Sequence, residues 1–131
     1  MKTSMVHYEK GARAERELTG ILQRRGYSVV RAAGSGVAGY CPDLLAFKHG
    51  RQFAFECKNW KGGRVAVKKE TFRALAEWEE NTGITTMVAW RIPRGGWLFL
   101  HLRELEENPR SFSLTRERAE RIARGPDEVL L

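Results

Sequence analysis

Between Lys10 and Arg25 the apolar positions recur at helical spacing, with Ala14, Leu18, Ile21 and Leu22 on one stripe. Gly26 follows where a C′ glycine would end that helix. The period then shortens. Tyr27 to Ala33 reads as a strand centred on Val29 and Val30, with Arg31 near its end. Two short apolar runs flank His49-Gly50, and glycine in the second place of a two-residue link signals a hairpin. Lys68 to Asn81 reads as a second helix that docks Phe72, Leu75, Ala76 and Trp78 on a sheet and is closed by Gly83. Thr85–Ile92 and Trp97–Leu102 form a further strand pair around Pro93-Arg94-Gly95-Gly96. Leu98, Leu100 and Leu102 alternate there with Trp97, Phe99 and His101, so both faces carry bulk and both need a cover. A second subunit is one candidate for that cover. A short tail helix, Thr115 to Arg124, is expected to pair Glu117 with Arg121 and Glu120 with Arg124, and Gly125-Pro126 ends it.

The hairpin has a chemical consequence. If His49-Gly50 is the link, Lys48 pairs with Arg51, and Asp43 falls directly opposite Glu56. Lys58, two residues beyond Glu56, shares their face. Two carboxylates about 4 Å apart repel by about 4 kcal/mol at an effective dielectric near 20. A shared proton, the lysine or a cation must offset that repulsion. An oxygen-only ligand set favours a hard divalent ion such as Mg²⁺ or Mn²⁺. The plain alternative is a hairpin edge with an exposed Glu–Lys pair of little energetic consequence. Glu15 and Glu17 lie on opposite borders of the first helix stripe, so periodicity does not choose between them.

Composition narrows the partner. The chain of 131 residues is expected to form one domain, 1–131, and its net charge of +7 favours a polyanion, nucleic acid ahead of an acidic membrane surface. There is no apolar run of transmembrane length, and Met1-Lys2-Thr3-Ser4 leads into charged sequence, which argues against secretion. Two cysteines are too few for a disulfide framework or a zinc site. Cys57 is expected to be a small buried hydrophobe beside Phe53 and Phe55, and Cys41 a free thiol. His7, His49 and His101 have no metal-ligand spacing. The glycine-rich loop Gly34 to Gly39 lacks the ending of a P-loop. Asn59 to Arg64 is a basic turn around Trp60, a residue that could stack at a distorted DNA step or anchor packing. Lys10, Arg16, Arg31, Lys61, Arg64, Lys68 and Lys69 are the candidate DNA contacts.

Pro42-Asp43 followed by Glu56-Cys57-Lys58 resembles the PD-(D/E)xK nuclease signature. Tyr8-Glu9-Lys10-Gly11, Ala14-Glu15-Arg16-Glu17-Leu18 and Val29-Val30-Arg31-Ala32-Ala33-Gly34-Ser35 resemble the opening of archaeal Holliday junction resolvases, in that family's order. The resemblance covers about the first half of the chain. It implies an α/β fold with a restriction-endonuclease-like core, a mixed sheet of about five strands flanked by helices. It implies that Glu15 joins Asp43 and Glu56 as a metal ligand, with Mg²⁺ the expected ion and Mn²⁺ able to substitute. Lys58 would complete the catalytic set, and Ser35 would lie near the scissile phosphate. The loop from Val37 to Cys41 is longer than in the tightest family pattern, which bears on Ser35 more than on the acids. The implied protein is a cytoplasmic, nucleoid-associated homodimer that cuts four-way DNA junctions at paired symmetric positions. Two other readings are a restriction- or repair-type nuclease with the same core, and a non-catalytic DNA-binding module whose acids are structural.

Overall fold

The computed structural model describes residues 2–32 and 41–131, with side chains from residue 11 onward. Helix α1 spans Lys2–Arg24. It starts well before Lys10, because the apolar stripe begins only at Ala14 and periodicity is silent about earlier turns. Strand β1 (Ser28–Arg31) is shorter than its apolar surroundings suggest. β2 (Leu44–Lys48) and β3 (Arg51–Asn59) form the expected hairpin, with Lys48 paired to Arg51 and Leu44 to Phe55. His49 and Gly50 have φ of 48° and 83°, the positive pair that a two-residue type I′ turn demands.

β4 (Arg64–Lys68) precedes helix α2 (Lys69–Thr82), which ends at Gly83 in a left-handed conformation with its N–H on the Glu79 carbonyl. β5 (Thr85–Ile92) and β6 (Gly96–His101) follow, then β7 (Glu106–Glu107), β8 (Ser111–Thr115), α3 (Arg116–Ile122) and α4 (Pro126–Val129). The main sheet has five strands in the order β1-β2-β3-β5-β6, with β3 and β5 parallel and the other neighbours antiparallel. This is the mixed α/β sheet expected from the resemblance. A second, three-stranded sheet, β4-β8-β7, was not expected. Val65 and Val67 alternate inward on β4, a segment taken from sequence as basic turn and helix start.

Each face of the main sheet has its own core. On one face α1 lays Ala14, Leu18 and Leu22 against Leu44, Phe55 and Phe99, and α4 adds Val129 and Leu130. On the other, Val88, Trp90 and Leu100 meet Leu75 of α2, Val65 and Leu114 of the small sheet, and Ala119 of α3. Burying one such leucine or phenylalanine fully stabilises the fold by about 1.5–3 kcal/mol. The bulky β5–β6 pair is therefore covered on both faces by its own chain, which corrects the expectation of a second subunit as cover.

The tail corrects a charge pairing as well. Glu117 and Arg121 do pair, at 2.5 Å, but Glu120 takes Arg116 at 2.8 Å instead of Arg124. Helix α3 stops at Ile122, and Arg124 leaves it to form a backbone bridge with Phe99. Its guanidinium then clasps Glu104 through two bonds of 2.9 and 3.0 Å. Among the described residues no helix is long and apolar enough to cross a membrane.

Candidate active site

The site forms where β2 begins beside the far half of β3. The register places Leu44 opposite Phe55, so Asp43, one residue earlier, faces Glu56. The Asp43 backbone is held by the Ala32 N–H, which donates to its carbonyl at 2.9 Å. Its carboxylate Oδ2 accepts the Cys57 N–H at 2.8 Å. Glu56, only 7% exposed, stands opposite Asp43 across the hairpin. Burial pushes the Asp43 carboxyl above its usual range and the neighbouring charge of Glu15 adds to the rise, against the lowering pull of the Cys57 N–H, Lys58 and Glu56. Lys58 stands with Nζ 3.9 Å from Glu56 Oε2, an ion pair without a direct hydrogen bond. Acid, acid and amine are therefore on one side of the hairpin, as its spacing predicts.

Glu15 approaches this group from α1. Its charge acts on both Asp43 and Cys57, while its Oε1 accepts a 2.8 Å bond from Arg31 Nε. Glu17 points elsewhere and pairs with Arg91 of β5. Among the described residues no three Asp, Glu, His or Cys side chains are gathered tightly enough to hold an ion, since Glu15 is engaged by Arg31. Half-buried Asp43 and buried Glu56 nevertheless present carboxylate oxygens side by side, the donor type that hard cations prefer.

Cys57 is half-buried and packs against the α1-side core with Phe53, close to the hydrophobic role expected of it. Burial drives its thiol well up, and Asp43, Glu15 and Glu56 push in the same direction. Cys41 is a half-buried free thiol, also raised by burial and by Asp43. Of the candidate DNA contacts, Arg16, Arg31, Lys61, Arg64 and Lys68 are exposed. Arg31 is bound to Glu15, Arg64 donates to the Ser113 hydroxyl at 2.9 Å, and half-buried Lys69 pairs with Glu107 at 2.9 Å. Ser35 and the Lys10 side chain lie outside the described residues.

Sequence reasoning passed over Arg13 and Arg91. They line, with Glu17 and Asn59, an open cavity of about 440 Å³ beside α1. Arg91 pairs in register with Asn59, next to Lys58, so its place at the end of β5 was the available signal.

Residues 6–124 match the family model described as archaeal Holliday junction resolvase (Hjc). The chain is 33% identical over 124 residues to the crossover junction endodeoxyribonuclease Hjc of Methanocaldococcus jannaschii, covering 94% of this chain and 88% of that one. It is 31% identical over 106 residues to the protein of the same name from Archaeoglobus fulgidus, covering 80% and 78%. The solved structure of Archaeoglobus fulgidus Hjc, described as a Holliday junction resolvase, superposes with a TM-score of 0.84 at 27% identity, covering 92% of this chain and all of that one. A five-stranded mixed sheet, opposed acids at the head of its hairpin and a family match over nearly the whole length lead to one assignment: the chain belongs to the archaeal Holliday junction resolvase family.

Proposed function

We propose that the protein is an endonuclease that resolves four-way DNA junctions by metal-dependent phosphodiester hydrolysis, making paired symmetric nicks as a homodimer. The observation that carries this reading is half-buried Asp43 facing buried Glu56 with Lys58 alongside, in a chain of this family. Asp43 and Glu56 would hold Mg²⁺, with Mn²⁺ able to substitute, and Glu15 would complete the set by giving up Arg31. When bound, the ion supplies an electrophile for the phosphoryl oxygens and acidifies water at neutral pH.

The protein's own groups do the rest. Lys58 orients the attacking water or steadies the charge that builds on the phosphoryl oxygens. Arg31, on the β1 edge of the site, would meet the DNA backbone when Glu15 turns to the ion. Arg16, Lys61, Arg64 and Lys68 provide exposed positive charge for phosphates, which positions the duplex without reading bases. Selection of a junction then rests on its shape and on the two-fold relation of the subunits. Such work belongs in the cytoplasm, at the nucleoid.

The test is cleavage of a synthetic four-way junction, mapped on all four strands with and without Mg²⁺, against linear duplex at matched salt. Paired symmetric nicks that require Mg²⁺ and spare the duplex are expected. Equal cutting of junction and duplex would replace this reading with a general nuclease, and no cutting with either Mg²⁺ or Mn²⁺ would replace it with a binding module.

A further inference from the structure

A second feature adjoins the acids. The end of β3 and the turn after it line a cavity of about 400 Å³ with Lys58, Asn59, Trp60 and Lys61, and Gly11 of α1 contributes the opposite wall. That volume lies in the range of clefts that take small ligands. Trp60 is 45% exposed, one of the few large apolar side chains in the described chain left so open. Its backbone, by contrast, is fixed: the indole N–H of fully buried Trp90 donates to the Trp60 carbonyl at 3.0 Å. The ring is thus an exposed aromatic surface carried on an anchored stretch of backbone two residues from Lys58.

Gly11 fits the same picture. Glycine weakens a helix interior, and among the described residues no neighbour requires it, because a Cβ at this position would meet none of them within 4 Å. The missing side chain leaves the cavity open from the helix side. Lys61, exposed at the rim, supplies positive charge next to the ring.

We infer that this cavity receives one DNA base lifted from the stack beside the branch point, stacked on Trp60, with its phosphate near Lys61. The inference rests on the junction-cutting reading and specifies how the same site seats its substrate. A base at a branch point has already lost part of its stacking, so extruding it costs less than within a continuous duplex. Stacking on an aromatic ring tolerates any base, which suits recognition by shape. Seating the base beside Lys58 would bring the adjoining phosphate to the acids. Trp60 acts here as a positioning residue and not as a catalytic one.

The experiment uses a four-way junction with non-migrating arms and 2-aminopurine at each position flanking the branch point in turn. Binding to Asp43→Asn protein, which leaves the DNA intact, is expected to change emission at one position next to the cut site. Adding Trp60→Ala abolishes that change, whereas Trp60→Phe keeps it. In the cleaving protein, Trp60→Ala lowers kcat/KM on the junction by about tenfold, and Trp60→Phe restores most of the loss. Because the Trp60 carbonyl and not its ring binds Trp90, the alanine variant should fold, which thermal melting checks. Gly11→Leu, which fills the cavity from the helix side with Trp60 intact, is expected to lose the same emission change. Wild-type emission and cleavage in Trp60→Ala would overturn the inference. So would loss of dimerisation with the emission change retained, since that would reassign the ring to subunit contact. Failure of the unmutated protein to cut any junction would instead overturn the functional reading itself.

Discussion

At the scale of single residues, the Asp43–Glu56 pair is held together at a cost. Half-buried Asp43 faces buried Glu56, and Asp43 is pushed toward its protonated form mainly by its partial burial. An asparagine at 43 can still accept the Cys57 N–H, yet it removes one of the repelling charges. Asp43→Asn is therefore expected to raise stability in metal-free buffer by on the order of 1 kcal/mol, roughly 4 °C in a melting scan. The same change, like Glu56→Gln, should lower Mg²⁺-dependent cleavage by about 10²-fold or more while junction binding persists. A wild-type cleavage rate in either variant would show that the acids are structural. Their encounter was legible because β-pairing has fixed arithmetic: once His49-Gly50 is the turn, no other residue of the hairpin can face Glu56. The choice between Glu15 and Glu17 was not legible from spacing. Both border the stripe, and what separates them is the partner each meets, Arg31 on the next strand or Arg91 on a strand 74 residues on.

At the scale of elements, long amphipathic segments were readable and short ones were not. α2 and β5 fall within a residue of their apolar patterns. β7, by contrast, is Glu106-Glu107, with no apolar position to announce it, and it exists because β8 offers a ladder to pair with. The Arg124–Glu104 clasp is similarly tertiary: its helix ends too early for the i,i+4 partner, and the bridge to Phe99 turns the guanidinium inward. Burial alone would raise the Glu104 carboxyl, but Arg124 and the His101 N–H hold it below the usual range. A lowered carboxyl stabilises the fold above the ordinary glutamate value of 4.5 and loses that contribution as pH falls through the folded value. His101, lowered by burial and then by Arg124 and Arg103, is costly to protonate, so its contribution begins to fade earlier, as pH drops below 6.5. Glu104→Gln should accordingly flatten the acid limb of a melting-temperature profile and leave the limb near neutrality to His101. Leu18→Ala, at a site with no solvent exposure where α1 meets the sheet, is expected to cost about 2–5 kcal/mol by denaturant unfolding.

At the scale of the whole molecule, the net charge of +7 and the fold act together. Both faces of the main sheet are covered from within the chain, so a two-fold dimer would pair through surface other than those two faces. If exposed cations hold DNA through phosphates, log affinity for a junction falls linearly with log salt. Arg16→Ala and Lys68→Ala should then each lower that slope by about 1 without changing which structure is preferred. A preference altered toward linear duplex would show that those residues read shape as well as charge.

If Asp43 and Glu56 hold a hard cation in exchange for a proton, titration calorimetry of Mn²⁺ into DNA-free protein near neutral pH shows it most directly. Binding is expected that Glu56→Gln abolishes or weakens by at least tenfold, with proton release in the unmutated protein as the metal enters. Equal Mn²⁺ affinity in the two proteins would contradict it.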